Sequence, residues 1–282
     1  MNKQLRQIML AALFTLAGIG AASAQNIVIK GSTTVLPIVQ ATLEAYMKMN
    51  PGTNISLSGG GSGEGIKALM DGTTDIATSS REIKESEIAL AKSKGVNPTA
   101  TVVAIDAIVP IVNPKNRIRD LTIDQLSQIY QGRIINWKEV GGEDLQIVVI
   151  SRDSSSGTFE SWAELVLNKA KVTPRAQLQA SSGAIVQAVS KNRYSLGYIG
   201  LGYLDKTTKA LTVGGVPASA KTSISKEYPI ARPLYLYTNG APKGEAAKFI
   251  KFALSASGQN IVVKEGFVPV LDSAKTPIKG KK

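Results

Sequence analysis

The sequence of 282 residues contains neither cysteine nor histidine. Without cysteine the chain has no disulfide bond, no thiolate metal site, no thiol nucleophile and no lipid-modified cysteine. Without histidine it lacks the commonest transition-metal ligand and the usual general base, which excludes zinc chemistry and a Ser-His-Asp triad. We therefore expect a protein that is not an enzyme and that carries no metal and no cofactor.

Aromatic residues are scarce as well, at 5% of the chain. The cationic residues are scattered, apart from Lys279, Lys281 and Lys282, and no basic run is interleaved with aromatic side chains. A stacking surface for single strands is therefore not expected, and neither is a nucleic acid partner. The net charge of +12 falls by two to +10 without Lys3 and Arg6. This surplus favours a small anion as the partner, and solubility alone is the other explanation.

The N-terminus has the pattern of an export signal, which we assign to residues 1–24. Lys3 and Arg6 precede an apolar run from Ile8 to Ala22, and Ala22-Ser23-Ala24 has the small residues of a cleavage site. No later stretch reaches the roughly 20 apolar residues that cross a bilayer. We expect cleavage after Ala24 and a periplasmic protein whose hydrophobic fraction of 43% is sufficient for one or two cores.

Four predicted strands are each followed by a turn that is rich in hydroxyl residues or glycine. The strands begin at Asn26, Ile55, Asp75 and Ile147, and the turns are Gly31-Ser32-Thr33-Thr34, Gly59 to Gly65, Ser79-Ser80-Arg81 and Ser151 to Thr158. Helices are predicted next, over Val35 to Met49, Ile66 to Met70 and Lys84 to Lys94, and from about Gly157. Free backbone amides at a helix start, together with hydroxyls and Arg152, favour an oxyanion. Helix capping alone is the alternative.

The alternation of strands and helices predicts an α/β fold with a mainly parallel sheet. Ligands of such sheets bind beyond the carboxyl ends of the strands, where the four turns would gather. The long apolar segment Thr101 to Val112 and the extended segment Pro229 to Tyr237 are predicted to cross between two lobes. Lobe 1 would comprise residues 25–110 and 236–282, and lobe 2 residues 111–235, with a cleft that closes by hinge bending.

At this level of detail the sequence resembles a known family. The motifs that carry the resemblance occur in the same order along nearly all of the chain after residue 24, and they are Gly31 to Thr34, Gly61-Ser62-Gly63, Asp75-Ile76 through Ser80-Arg81, Leu126 to Gly132 with Asn136-Trp137, Arg152 with Ser156-Gly157-Thr158, and Tyr228 to Leu234. Together they resemble the phosphate-binding proteins of bacterial high-affinity phosphate ABC transporters. The resemblance implies a type II periplasmic binding protein fold, inorganic phosphate as ligand, and delivery of phosphate to an inner-membrane ABC permease. We expect a monomer.

The resemblance also implies which residues bind the anion. The candidates are Ser32, Thr33, Thr34, Ser62, Ser80, Arg81, Arg152, Ser156, Gly157 and Thr158. Ser80 and Ser154 stand where the best-known members have aspartate. An ionised carboxylate accepts hydrogen bonds from protonated phosphate and repels sulfate, whereas serine accepts without that repulsion, so selectivity is less certain than binding. For Arg81 the alternative role is an ion pair with Glu82 or Glu85.

Three other functions remain open from the sequence. One is a binding protein for another tetrahedral oxyanion, such as sulfate, molybdate or tungstate. Another is an exported phosphatase, because Ser223 and Lys226 have Ser-x-x-Lys spacing, although the companion motifs of such enzymes are missing. The third is a secreted protein that scavenges phosphate in adhesion or biofilms.

Overall fold

The structure is a computed structural model that describes residues 26–270, so the predicted export signal and the C-terminal lysines lie outside the described residues. The strands are β1 (Asn26–Gly31), β2 (Asn54–Gly59), β3 (Ile76–Ser79), β4 (Pro98–Val112), β5 (Asp120–Leu121), β6 (Val148–Arg152), β7 (Gln177–Gln179), β8 (Ser195–Gly200), β9 (Lys209–Ala210), β10 (Thr212–Val213) and β11 (Ala231–Asn239). The helices are α1 (Leu36–Met49), α2 (Ser62–Met70), α3 (Glu85–Ser93), α4 (Ile123–Tyr130), α5 (Gly157–Leu165), α6 (Ser182–Lys191), α7 (Ala220–Ile224), α8 (Gly244–Ala253) and α9 (Ala256–Lys264). The predicted α/β class is confirmed.

Nine strands form one curled, mixed sheet in the order β2-β1-β3-β11-β4-β8-β6-β7, with β9 paired to β4. The pairs β1–β2, β1–β3, β6–β8 and β6–β7 are parallel, as expected for strands joined through helices. Strand β11 is antiparallel to both β3 and β4, and β4 is antiparallel to β8. Strands β4 and β11 therefore stand between two groups of parallel strands.

The hydrophobic core is divided along these two strands. One cluster draws its buried residues from positions 107–230, and a second draws them from positions 27–104 and 234–268. A third, smaller cluster covers the opposite face of β3 and β11. In β11, Leu234 and Leu236 pack into the second cluster, and Tyr235 and Tyr237 pack into the third. Neighbouring strand residues point to opposite faces, which explains this alternation.

Strand β4 is long enough to serve both large clusters. Val103 and Ala104 belong to the second cluster, and Ala107 and Ile108 belong to the first. The chain around β11 changes cluster in the same way. Leu234 in β11 belongs to the second cluster, and Ile230, in the turn before β11, belongs to the first. The two predicted crossing strands are thus present.

One predicted helix boundary is wrong in a way that matters for function. Helix α2 begins at Ser62 and not at Ile66, because Gly61 adopts a φ of 119° that lets the chain turn into a helix there. Ser62 consequently lies in the first helical turn, near free amides. Across residues 26–270, none of the helices combines the length and the apolar character that crossing a bilayer requires.

Candidate anion-binding site

The turn after β1 supplies three of the predicted residues. Ser32 N–H donates to the Thr78 carbonyl at 3.0 Å, and Ser32 Oγ accepts the Thr34 N–H at 3.2 Å, so the turn is fixed to β3. The Thr33 hydroxyl is buried and has no hydrogen-bond partner within residues 26–270. The Thr34 hydroxyl lies 2.7 Å from the hydroxyl of Thr158, which is 124 residues later in the chain. The turn therefore reaches the N-terminus of α5.

The start of α2 and the end of β3 form a second contact. Ser62 Oγ accepts the Ser80 N–H at 3.0 Å, and the two side-chain oxygens are 3.3 Å apart. Both side chains are fully buried. Gly63 N–H donates to the Ser155 carbonyl at 3.0 Å, which joins this pair to the loop before α5.

The N-terminus of α5 lies against both of these turns. Ser156 is the N-cap, and its Oγ accepts the Phe159 N–H at 3.2 Å. A Cβ atom added to Gly157 would lie 2.2 Å from Ser62 Oγ and 2.8 Å from Ser80 Oγ. Only glycine permits this approach. Four separate turns consequently bring buried hydroxyls and helix-start amides into one place.

Arg152 ends β6 and is 1% exposed. Its Nε donates to the Gln179 carbonyl and its Nη2 to the Ala180 carbonyl, both at 3.0 Å, and its Nη1 lies 3.5 Å from Ser182 Oγ. These bonds hold the guanidinium and leave some of its five N–H donors for a ligand. The neighbouring Asp153 carboxylate accepts the Ser155 N–H at 2.8 Å.

Arg81 forms ion pairs with two carboxylates. Its Nη1 and Nη2 bind the Glu87 carboxylate, each at 2.8 Å, and its Nε lies 2.9 Å from Glu160 Oε2. The predicted alternative, an ion pair, is therefore present, but with Glu87 and Glu160 and not with Glu82 or Glu85. These carboxylates occupy most of the hydrogen-bond donors of the Arg81 guanidinium.

Two residues that were not assigned a role lie at the site. Arg232 Nη2 donates to Thr158 Oγ1 at 2.9 Å and to Asp106 Oδ2 at 3.0 Å. Asp106 Oδ1 also accepts the Leu201 N–H at 2.9 Å. The sequence contains one indication of this pair, because Asp106 is the only charged residue in the apolar run from Thr101 to Val112.

The electrostatics of the site follow from burial. Burial lowers the pKa of the Arg152 and Arg232 guanidinium groups below the usual range of arginine. Burial also raises the pKa of the Asp106 carboxyl, and the neighbouring charge of Arg232 partly counteracts this rise. Burial also raises the pKa of Tyr198 and Tyr203 to about 12, so both are neutral donors near neutral pH. Two arginines and one aspartate leave one positive charge in excess, which favours an anion.

Comparisons with known proteins agree with this arrangement. A family model described as the PBP superfamily domain matches residues 17–257. The phosphate-binding protein PstS of Borreliella burgdorferi is 37% identical over 254 residues, covering 86% of this chain and 89% of its own length. PstS of Bacillus subtilis is 33% identical over 257 residues, covering 89% and 83%. The chain belongs to the PstS family of phosphate-binding proteins.

Solved structures extend the likeness from sequence to fold. A phosphate ABC transporter substrate-binding protein from Clostridium perfringens with bound phosphate superposes with a TM-score of 0.82 at 37% identity, covering 88% of this chain and 100% of that one. An ABC-type phosphate transport receptor from Vibrio cholerae gives a TM-score of 0.70 at 32% identity, covering 86% and 99%. The family resemblance predicted from the motifs is confirmed, and so is the two-lobed periplasmic binding protein fold of the PstS family.

The residues of the possible phosphatase motif are arranged differently from a catalytic site. Ser223 is buried on α7, and its hydroxyl donates to the Ser219 carbonyl one turn earlier at 2.7 Å. Its proton is thus given to the backbone and not to a base. No group of acidic side chains in the described part of the chain has an arrangement that would hold a metal ion.

Proposed function

We propose that this protein binds inorganic phosphate and delivers it to an inner-membrane ABC permease. We propose as ligands the hydroxyls, amides and guanidinium of Ser32, Thr33, Thr34, Ser62, Ser80, Arg152, Ser156, Gly157 and Thr158, without Arg81. The protein acts as a binding protein, without catalysis and without a cofactor.

One observation carries this proposal. Buried donors from four turns that are far apart in sequence meet at one place, as the 2.7 Å contact of Thr34 with Thr158 and the packing of Gly157 on Ser62 illustrate. A multiply charged anion leaves water only if donors replace its hydration shell. The hydroxyls, the helix-start amides and the Arg152 guanidinium would supply those donors, and the buried Asp106 carboxylate is neutralised by its pairing with Arg232.

The movement that we propose is closure of two lobes, residues 25–110 with 236–282 and residues 111–235. The supporting observation is that the large hydrophobic clusters separate along β4 and β11 near these limits. Phosphate would be enclosed when the turns of the two lobes meet, and the closed form would dock on the permease. We propose a monomer that acts in the periplasm after removal of residues 1–24.

Calorimetric titration with phosphate tests the proposal. We expect the wild-type protein to bind phosphate and Arg152→Ala to bind it about tenfold to a hundredfold more weakly, the range for one charge-assisted hydrogen bond. Arg133→Ala removes an exposed arginine and is the control for net charge. Arg152→Lys keeps the charge without the planar fork of donors, and its phosphate affinity should lie between those of the wild type and Arg152→Ala.

Competition with sulfate, molybdate and tungstate determines the anion. Retention of phosphate when the other anions are in excess would assign the site to phosphate, and Ser80, which can accept from protonated phosphate and donate to sulfate, is not expected to exclude sulfate by itself. Preferential displacement of phosphate by one of the other anions would assign the site to that anion. Binding of phosphate by Arg152→Ala within about twofold of the wild type would show that the proposed pocket is wrong.

A further inference from the structure

Arg232 is fixed between the crossing strands and the N-terminus of α5. It lies opposite Asp106 in the antiparallel pairing of β4 and β11, and both side chains are buried. Two guanidinium nitrogens contact Asp106 Oδ2, at 3.0 Å and 3.3 Å, and Nη1 donates to the Gly157 carbonyl at 3.3 Å. The remaining contact is the 2.9 Å hydrogen bond to Thr158 Oγ1. Arg232 therefore touches α5 at two consecutive residues.

The direction of the hydrogen bonds follows from the chemistry of arginine. A guanidinium donates and cannot accept, so Thr158 Oγ1 must accept from Arg232. The Thr158 hydrogen is then directed elsewhere, either to Thr34 Oγ1 at 2.7 Å or to a ligand. If Thr158 donates to Thr34, the Thr34 hydrogen remains free, and if Thr34 donates to Thr158, the Thr158 hydrogen remains free. In both arrangements the pair of threonines has one hydroxyl hydrogen left to donate.

Asp106 has two effects in this arrangement. It pairs with a guanidinium that would otherwise be an isolated buried charge, and it fixes the guanidinium in the position from which Nη2 reaches Thr158. Because Leu201 N–H also binds Asp106, the carboxylate is held from the turn that follows β8 as well. The Asp106 oxygens therefore accept from Arg232 and from Leu201 N–H, and Asp106 affects the site through Arg232.

We propose that Arg232 is a positioning residue for the bound anion, which acts through Thr158 to keep the Thr158–Thr34 pair oriented as a hydrogen-bond donor. This inference rests on the proposed binding of phosphate and adds a residue that does not itself have to contact the ligand. An oxygen of the anion that meets this pair accepts a hydrogen bond, and an unprotonated, charged oxygen accepts more strongly than a protonated one.

A double-mutant cycle with calorimetric phosphate titration tests the proposal. Arg232→Gln places an amide oxygen that can accept the Thr158 hydrogen, and we expect about tenfold to hundredfold weaker binding. Thr158→Val removes the hydroxyl and keeps the shape. In that background Arg232→Gln should weaken binding by no more than about threefold, because the group through which Arg232 acts is absent.

Two further variants separate positioning from folding and from charge. Arg232→Lys keeps a donor-only cation beside Asp106 and should restore most of the affinity that Arg232→Gln loses. Asp106→Asn combined with Arg232→Gln leaves no unpaired buried charge, so it remains folded if Arg232→Gln alone does not, and it should bind as weakly. Arg133→Gln is the matched control for the loss of one arginine charge.

The outcomes are distinct. Equal losses from Arg232→Gln in the wild-type and Thr158→Val backgrounds would overturn the inference, since the residue would then act by charge or by general packing. Unchanged affinity in Arg232→Gln would overturn it as well. Both results leave the proposed function intact, whereas failure of the wild-type protein to bind phosphate would overturn the function and the inference together.

Discussion

Gly157 is the residue at which two turns of the site approach most closely. Substitution by alanine would bring a Cβ atom to 2.2 Å from Ser62 Oγ, a distance that real Cβ contacts do not reach, so one of the turns must move. We expect Gly157→Ala to weaken phosphate binding at least about tenfold, because overpacking of this kind costs about 1–3 kcal/mol and falls directly on the ligand-binding groups. Calorimetry and thermal denaturation measure the two effects.

Gly183 offers a matched control for this prediction. It also lies in the first turn of a helix, α6, and the nearest atom to an added Cβ is Ser181 Oγ at 4.0 Å. Gly183→Ala should leave phosphate binding unchanged and should stabilise the helix by about 0.5–1 kcal/mol. Equal phosphate affinities for the two alanine variants would contradict the contact that we describe.

Among single residues, the sequence indicated those in the turns at strand ends, but it did not indicate the buried Asp106–Arg232 pair that contacts these turns. Ser62 and Thr158 follow strand ends, and the geometry of parallel sheets brings such turns together. Asp106 and Arg232 are 126 residues apart, and no local pattern connects them. Arg81 was a candidate because of its motif, and its ion-pair partner Glu160 is likewise distant in sequence. Long-range ion pairs are set by tertiary packing, which motifs do not specify.

Helix α5 carries an ion pair in addition to its N-terminus, where we propose that the anion binds. Glu160 lies 2.9 Å from Arg81 Nε and 2.7 Å from Lys84 Nζ, both of which come from the chain that follows β3. Arg81 is largely buried and Glu160 mostly so, which protects the contact from solvent. The pair therefore connects α5 to the opposite side of the site, two residues beyond Thr158.

We expect Glu160→Gln to accelerate phosphate release about three- to tenfold, because a partly buried ion pair contributes roughly 1 kcal/mol and losses of this kind affect dissociation more than association. Stopped-flow displacement of phosphate measures the rate. Glu164→Gln changes an exposed glutamate on the same helix and is the control. High salt should change the difference between wild type and Glu160→Gln only slightly, because a partly buried ion pair is screened much less than an exposed one. An identical effect of the Glu164 substitution would rule out a specific role for Glu160.

At the scale of elements, the long helices and strands were predictable and the short ones were not. The helix from Val35 to Met49 and the strand ending at Val112 have clear apolar patterns, and both are present within a few residues of the predicted limits. Strands β7, β9 and β10 have two or three residues each, too few for a periodicity to be recognised. Their pairing depends on neighbouring strands, and local sequence gives no indication of it.

The whole molecule combines two large hydrophobic clusters with two strands that cross between them. This arrangement was predictable because Thr101 to Val112 is too long and too apolar for a strand of one small sheet. The register of β4 with β11 was not, since it contains an irregularity at Leu234 and Tyr235 that local sequence does not indicate. That register is what places Arg232 opposite Asp106.

Buried and partly buried tyrosines are distributed over both large clusters and make the stability of the whole molecule sensitive to alkali. Burial raises the pKa of Tyr46, Tyr198 and Tyr203 to about 12, and the neighbouring Glu245 carboxylate adds to the rise at Tyr46. An unfolded chain loses the same protons near pH 10. Because the folded pKa is the higher one, the contribution of these residues is complete below about pH 10 and is lost as the pH rises to about 12.

We therefore expect the free energy of unfolding, measured by urea denaturation, to fall steadily from about pH 10 to about pH 12. The ultraviolet absorbance of tyrosinate should show a late group of tyrosines that ionise only in this range or on unfolding. Tyr198→Phe should reduce the amplitude of the late phase, and Tyr194→Phe, which removes the hydroxyl of an exposed tyrosine, should leave it unchanged. Ionisation of all eight tyrosines in one step near pH 10, with the protein still folded, would contradict the burial on which this expectation rests.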